Sequence, residues 1–212
     1  MPFASRQDAG EKLGRRLLEE GLEVDLVVGL PRGGVIVAAE VAHLLRCPLD
    51  VLVVRKIGHP LHREFAVGAM AEGDVVLLDE GSIGAGSGTR ARLEQVIKEE
   101  KERLRQYQIK FHETKGMDFR DRTVLLADDG LATGATMEAA ALSTRKQGAR
   151  RTIVAVPVAS TSAVRRLRKV ADEVIALIVD SSFEAVGVYY ESFSQTTDEE
   201  VLSLLRAEHA NH

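Results

Sequence analysis

Val124-Leu125-Leu126-Ala127-Asp128-Asp129-Gly130-Leu131-Ala132-Thr133-Gly134-Ala135-Thr136 is the stretch of this chain that decides its fold. Four apolar residues in a row, without polar alternation, predict a strand of a parallel sheet covered by helices on both faces. Two adjacent carboxylates follow at the strand's C-terminal end, the edge where open α/β sheets bind ligands. A short Thr-Gly-x-Thr loop comes next, and Ala135 to Gln147 reads as a helix. Backbone N–H groups of such a loop, with the positive end of a helix dipole behind them, make an anion site. The carboxylates suit adjacent sugar hydroxyls, which a phosphate site alone does not require. Together these parts fit a phosphorylated sugar. The plainer alternative is a strand-turn-helix whose two Asp cap a helix or face water.

Outward from that stretch, strands and helices alternate. Ser5 to Glu20 is amphipathic, with Ser5 as its cap and Leu13, Leu17 and Leu18 on one face. Val24–Gly29 predicts a strand, Gly33–Arg46 a helix and Leu49–Val54 a second strand. Phe65–Met70 and Val75–Asp79 flank Glu72-Gly73-Asp74 as a hairpin. Gly81–Gly88 reads as a flexible connection, since it has neither a Lys-Ser/Thr after its glycines nor a complete G-x-G-x-x-G. Residues 89–113 read as a long charged helix with Leu93, Ile97 and Leu104 as a sparse apolar face, either solvated or in contact with another subunit. Strand Thr152–Val156, helix Ser162–Val170 and strand Val174–Val179 follow, then a final helix with Asp198 as N-cap. The acid pair thus follows the third strand of a parallel set. The expectation is one α/β domain over residues 1–212, a mostly parallel sheet flanked by helices, with an insertion at about 80–118.

Composition narrows the function classes. The chain has 212 residues, 45 % hydrophobic and 28 % charged, enough for a sizeable core in one elaborated domain. A net charge of −4 argues against bulk nucleic-acid binding. The basic cluster Arg165, Arg166, Arg168 and Lys169 is better read as a solvated helix face than as an RNA contact. The polar first twelve residues are unlike a signal peptide, and a cytoplasmic location is the default expectation. Cys47, the one cysteine, sits at the end of an apolar helix pattern and reads as a small buried residue.

Other residues gather at the same sheet edge. Gly29-Leu30-Pro31-Arg32-Gly33-Gly34 ends the first strand and opens a helix. Its glycines allow close backbone approach to an anion, and Arg32 can grip phosphate oxygens with two donors; a tight turn with a surface Arg is the bland reading. Arg55 and Lys56 end the next predicted strand, as anion ligands or as solvated charges. His59 and His62, in a stretch without periodicity, read as bystanders.

The acid pair followed by Thr-Gly-x-Thr resembles the PRPP-binding motif of type I phosphoribosyltransferases. That resemblance covers roughly residues 5 to 194 in arrangement. It implies transfer of a 5-phosphoribosyl group from PRPP to a nitrogenous base, with Mg²⁺ bridging pyrophosphate and ribose hydroxyls. It implies that Asp128 and Asp129 hold the ribose hydroxyls, with Mg²⁺ beside them. Gly130, Leu131, Ala132, Thr133, Gly134, Ala135 and Thr136 would cradle the 5-phosphate. Pro31, Arg32 and Gly33, with Arg55 and Lys56, would receive pyrophosphate, Arg32 acting with the acid pair in catalysis. A homodimer is the family's common state. Hypoxanthine-guanine enzymes carry an acid where this chain has Ala132, which disfavours those acceptors. Four of the nine Phe and Tyr (six and three) lie between Phe183 and Phe193. The family's C-terminal hood, here about 181–196, would offer Phe183, Tyr189 and Tyr190 to stack an acceptor base; the alternative is that they anchor the tail to the core. The string Phe183-Glu184-x-Val186-Gly187-x-Tyr189-Tyr190-Glu191-x-Phe193 also resembles the tail of a branch of predicted phosphoribosyltransferases, some fused to hydrolase domains. A PRPP-sensing regulator without turnover is the alternative function. A phosphatase or receiver domain would not need the Thr-Gly-x-Thr loop and is set aside.

Overall fold

The computed structural model describes residues 2–83, 87–112 and 118–209. Five parallel strands form the main sheet: β1 (Leu26–Gly29), β2 (Leu49–Val51), β6 (Thr123–Ala127), β7 (Arg151–Ser160) and β8 (Glu173–Asp180). Their spatial order is β2-β1-β6-β7-β8. The chain runs outward from β1 to β2 and then returns to the other side of β1, so a topological switch point lies between β1 and β6. Open α/β sheets bind ligands at such a point. Gly29 is opposite Ala127 there, and the turn after β1 and the acid pair after β6 leave the sheet together.

Every residue of β1, β2 and β6 is buried, which is why they read as apolar runs. Alternate residues serve opposite faces. Val27, Leu125 and Ile153 pack with Leu13 and Leu17 of α1 (Arg6–Glu19), with α2 (Gly33–Leu45), and with Val201 and Leu205 of α7 (Asp198–His209). Leu26, Val28, Leu126 and Val154 pack with Met137 and Ala140 of α5 (Ala135–Lys146) and with Leu167 of α6 (Thr161–Leu167). The expected caps divide. Ser5 Oγ accepts from Asp8 N at 3.3 Å and caps α1. For α7 the cap is Thr197: its hydroxyl accepts from Glu200 N while Glu200 accepts from Thr197 N, a reciprocal capping box. Asp198 instead bonds Lys110 at 2.6 Å.

A second, antiparallel sheet holds β3 (Val54–Gly58), β4 (Ala66–Ala71) and β5 (Val75–Leu78) in that order. The hairpin is the expected one; Gly73 (φ 72°) and Asp74 (φ 57°) take the left-handed conformations that reverse the chain. The strand expected over Leu49–Val54 divides. Leu52 N donates to Gly29 O, Val53 N donates to the Glu72 carboxylate, and the chain then crosses to the second sheet. Arg55 and Lys56 therefore lie inside β3 rather than at the end of a parallel strand. β7 runs on through Pro157 to Ser160 beyond the end of β6; β8 accompanies it on one side with a register that passes over the proline, and an isolated bridge from Leu131 to Ala159 meets it on the other.

Between β5 and β6 come a short turn, α3 (Glu80–Ile83), and α4 (Ser87–Phe111). Residues 84–86 of the glycine run, and 113–117 at the end of the long helix and its insertion, lie outside the described residues. α4 is not a merely solvated helix. Leu93, Val96, Leu104 and Phe111 are buried in the main core. Among the described residues, no helix is long and apolar enough to cross a membrane.

Candidate active site

Asp128 and Asp129 stand where β6 leaves the sheet, facing the first turn of α2. Asp128 Oδ1 accepts from Asp129 N at 2.8 Å. Burial, and then the charge of Asp129, push the Asp128 carboxyl well above the usual carboxylate range. Burial also raises Asp129, against the hydrogen bond from Arg6. The helix comes this close because Gly33 and Gly34 have no side chains. A Cβ on Gly33 would lie 2.2 Å from Asp129 Oδ2, and one on Gly34 2.7 Å from Asp128 Oδ1. The glycines expected to approach an anion thus also make room for the acids.

Arg6 is the site residue that sequence reading missed. Its Nε donates to Asp129 Oδ2 at 2.7 Å, Nη1 donates to Ser194 O at 2.7 Å, and the guanidinium lies 3.8 Å from the Phe193 ring centroid. The available signal was a charge on the buried stripe of α1, in step with Ala9, Gly10, Leu13 and Leu17. Arg6 is 8 % exposed, and the bond to Asp129 resolves the anomaly.

The loop after the acids is tied to β7. Leu131 N donates to Val158 O and Ser160 N to Leu131 O, each at 2.9 Å, while Ser160 Oγ donates to Ala132 O at 2.6 Å. Gly134 (φ 73°) provides the left-handed turn into α5, which has no side-chain cap. Ala132 and Thr133 are exposed at that helix's positive end. Thr133 Oγ1 accepts from Ala135 N at 3.4 Å.

A cleft of about 500 Å³ joins these parts. The acid pair, the loop from Gly130 to Gly134 and Thr136 line it, and Pro31, Arg55, Lys56 and Val186 close it. Lys56 is exposed, and its charge favours ionised Asp128. Arg55 is paired with Glu100 at 2.9 Å. Arg32 and Gly33 line a separate recess of about 370 Å³ with Arg6, Phe193 and Thr196. The Arg32 guanidinium lies 3.6 Å from Asp198, so the structure does not bring it to the acid pair's cleft. Among the described residues, no three His, Cys, Asp or Glu side chains are grouped to hold a metal.

The tail aromatics are mostly anchors. Tyr190 is buried, packs between Phe3 (5.4 Å) and Phe193 (5.1 Å), and donates its hydroxyl to Asp129 O at 2.5 Å. Phe183 stacks on Tyr189 at 5.4 Å, whose hydroxyl donates to Asp180. None of these three rings lines the cleft. Val186, at the start of the 3₁₀ turn Val186–Tyr189, is the tail residue that reaches it. A Cβ on Gly130 would lie 2.7 Å from Val186 Cγ1, so the tail closes directly over the loop.

Comparison with known proteins gives the family of the chain. The model of the family described as phosphoribosyl transferase domain matches residues 5–192. Mycobacterium tuberculosis (strain ATCC 25618 / H37Rv) has a relative named "Putative phosphoribosyl transferase Rv0571c", 40 % identical over 210 residues and 98 % of this chain. The chain spans about half, 47 %, of that relative's length. The crystal structure of TT1426 from Thermus thermophilus superposes with a TM-score of 0.82 at 43 % identity, covering 98 % of this chain and 99 % of that one. The AQ2163 protein from Aquifex aeolicus shares the fold at 14 % identity, with a TM-score of 0.51 over 86 % of this chain and 78 % of its own. With an acid pair, a glycine-hydroxyl loop and a helix N-terminus gathered at the switch point of its sheet, this chain belongs to the phosphoribosyl transferase domain family.

Proposed function

We propose that the protein transfers the 5-phosphoribosyl group of PRPP to a nitrogenous base and releases pyrophosphate. The observation that carries this reading is the one cleft lined together by the acid pair, Gly130 to Gly134, Thr136 and Lys56. The 5-phosphate sits against the loop at the N-terminus of α5, where N–H groups and the helix dipole favour a dianion. Asp128 and Asp129 accept hydrogen bonds from the two ribose hydroxyls, and Arg6 and Tyr190 hold Asp129 in place for them. Pyrophosphate leaves towards Pro31, with Lys56 and Arg55 at its side. As its bond to ribose C1 breaks, the electron pair leaves with pyrophosphate, the acceptor nitrogen bonds C1, and its proton passes to the departing pyrophosphate or to solvent. Val186, closing over Gly130, keeps water from the positive centre that develops there.

The donor set suits Mg²⁺. Two carboxylates with one bonded guanidinium leave net negative charge on hard oxygen atoms, and among the described residues no cation is hydrogen-bonded to Asp128. Asp128 and Asp129, with oxygens of the substrate, would hold the ion. Bound there, such an ion would supply positive charge to offset that of the leaving pyrophosphate.

Calorimetric titration with PRPP, with and without Mg²⁺ and against ribose 5-phosphate, tests the reading. Asp128→Asn and Asp129→Asn should each weaken PRPP by about tenfold or more, the scale of a hydrogen bond to a charged group. Affinity unchanged in both variants would refute the site.

A further inference from the structure

The long inserted helix α4 has no part in the reaction as described above, yet one of its residues holds a side chain of the cleft. Glu100, one helical turn before Leu104, is 6 % exposed although it is a carboxylate. It carries two arginines. Arg55 Nε donates to Glu100 Oε2 at 2.9 Å, and Arg103 Nη1 donates to Oε1 at 2.7 Å. Tyr107, two turns on from Glu100, places its ring 5.7 Å from the Arg55 guanidinium. Arg55 is the one of the two that lines the cleft with Asp128 and Asp129.

We propose that Glu100 of α4 is a positioning residue that holds the Arg55 guanidinium at the cleft wall to receive the pyrophosphoryl end of the substrate. A free arginine samples many rotamers, and binding an anion would have to order it; a guanidinium already fixed along one edge keeps its remaining N–H groups for the ligand. Glu100 takes the Nε edge and one terminal nitrogen, so donors stay on the far side of the fork. The helix is rigid enough for this task. Leu93, Val96, Leu104 and Phe111 bury it, and at its far end His112 Nε2 lies 3.0 Å from the Glu72 carboxylate, which also accepts from Val53 N just before β3. α4 is thus fastened to the start of β3 close to Arg55.

The inference rests on the proposed pyrophosphate end of the cleft, and inorganic pyrophosphate is its probe. Titration of the full chain with pyrophosphate and Mg²⁺ should give about tenfold weaker binding for Glu100→Gln and for Arg55→Gln, and a double variant no weaker than Arg55→Gln. Arg103→Gln, which removes the other partner of Glu100, should bind as the parent does. ¹⁵N spectra should show the Arg55 Nε–H as a distinct, slowly exchanging signal that moves to the position of free arginine in Glu100→Gln. Parent-like binding by Glu100→Gln, additive losses in the double variant, or no pyrophosphate binding by the parent would each overturn the proposal. Failure of the phosphoribosyl reading looks different: PRPP would bind no better than pyrophosphate and ignore Asp129→Asn, while the Glu100 effect on pyrophosphate persisted.

Discussion

Replacing Arg6 with Gln tests the electrostatic construction of the site. The Arg6 and Asp129 side chains are 10 % and 15 % exposed, and the substitution leaves the carboxylate buried beside Asp128 without its guanidinium. Removing one partner of a buried pair costs roughly 3–5 kcal/mol, whereas an exposed pair contributes roughly 0.2–1 kcal/mol. The lower end of the buried range, about 3 kcal/mol, applies because both side chains keep a little solvent contact. That is a large part of the ~5–15 kcal/mol that holds a typical domain together. The loss should also depend on pH. Burial already raises both carboxyls above 3.8 in the folded protein, and without Arg6 that of Asp129 rises further. The folded state then binds a proton that the unfolded chain lacks, so stability recovers as pH falls through the raised folded value, until the unfolded chain also protonates near 3.8. Urea unfolding of both proteins, at neutral pH and in mild acid, measures this. A loss below about 1 kcal/mol that is the same at both pH values would refute the reasoning.

Three further outcomes follow from the geometry. Gly33→Ala places a methyl group 2.2 Å from Asp129 Oδ2, and should cost about 1–3 kcal/mol in denaturant unfolding and weaken PRPP in calorimetry; intact PRPP affinity would contradict the placement. His112, raised by its hydrogen bond to Glu72 against the effect of burial, contributes stability that is complete below pH 6.5 and lost as pH rises through its folded value. His112→Gln should therefore lower the melting temperature in mild acid and much less at about pH 9, and a pH-independent loss would exclude the charged pair. The hydroxyl of Thr196 is buried without a hydrogen-bond partner among the described residues, so Thr196→Val should stabilise by about 1 kcal/mol in urea unfolding, and destabilisation would show that the hydroxyl is satisfied.

The parts of the fold legible in the sequence are those whose physics is local. β1 and β6 announce themselves because both faces are covered; the hairpin does so through Gly73 and Asp74, and α1 through Ser5. The acid pair and its loop are legible for the same reason, being contiguous. What was hidden depends on partners far away in the chain. Arg6 meets Asp129 across 123 positions, and Glu100 meets Arg55 across 45, so neither contact leaves a periodic trace. The division after Val51 is set by a hydrogen bond from Val53 to Glu72, a residue in the next hairpin. Arg32 was legible as a basic residue beside glycines, but its direction is fixed by Asp198 at the start of α7. The tail rings show the limit of composition: stacking on a ligand and stacking on Phe3 require the same residues.

Phe3 N donates to Tyr189 O, and Glu191 N donates to Phe3 O, so the segment ahead of α1 and the tail between β8 and α7 lie alongside each other next to Asp129. The site is therefore clasped by two segments far apart in the chain, although the acids themselves come from its middle. In a chain emerging from its N-terminus, strands β1 and β6 can pair while Asp129 still lacks the hydroxyl of Tyr190, which is made 61 residues later. A nick in the tail between β8 and α7 would leave every strand of the parallel sheet uncut and open the clasp, separating loss of ligand binding from loss of fold.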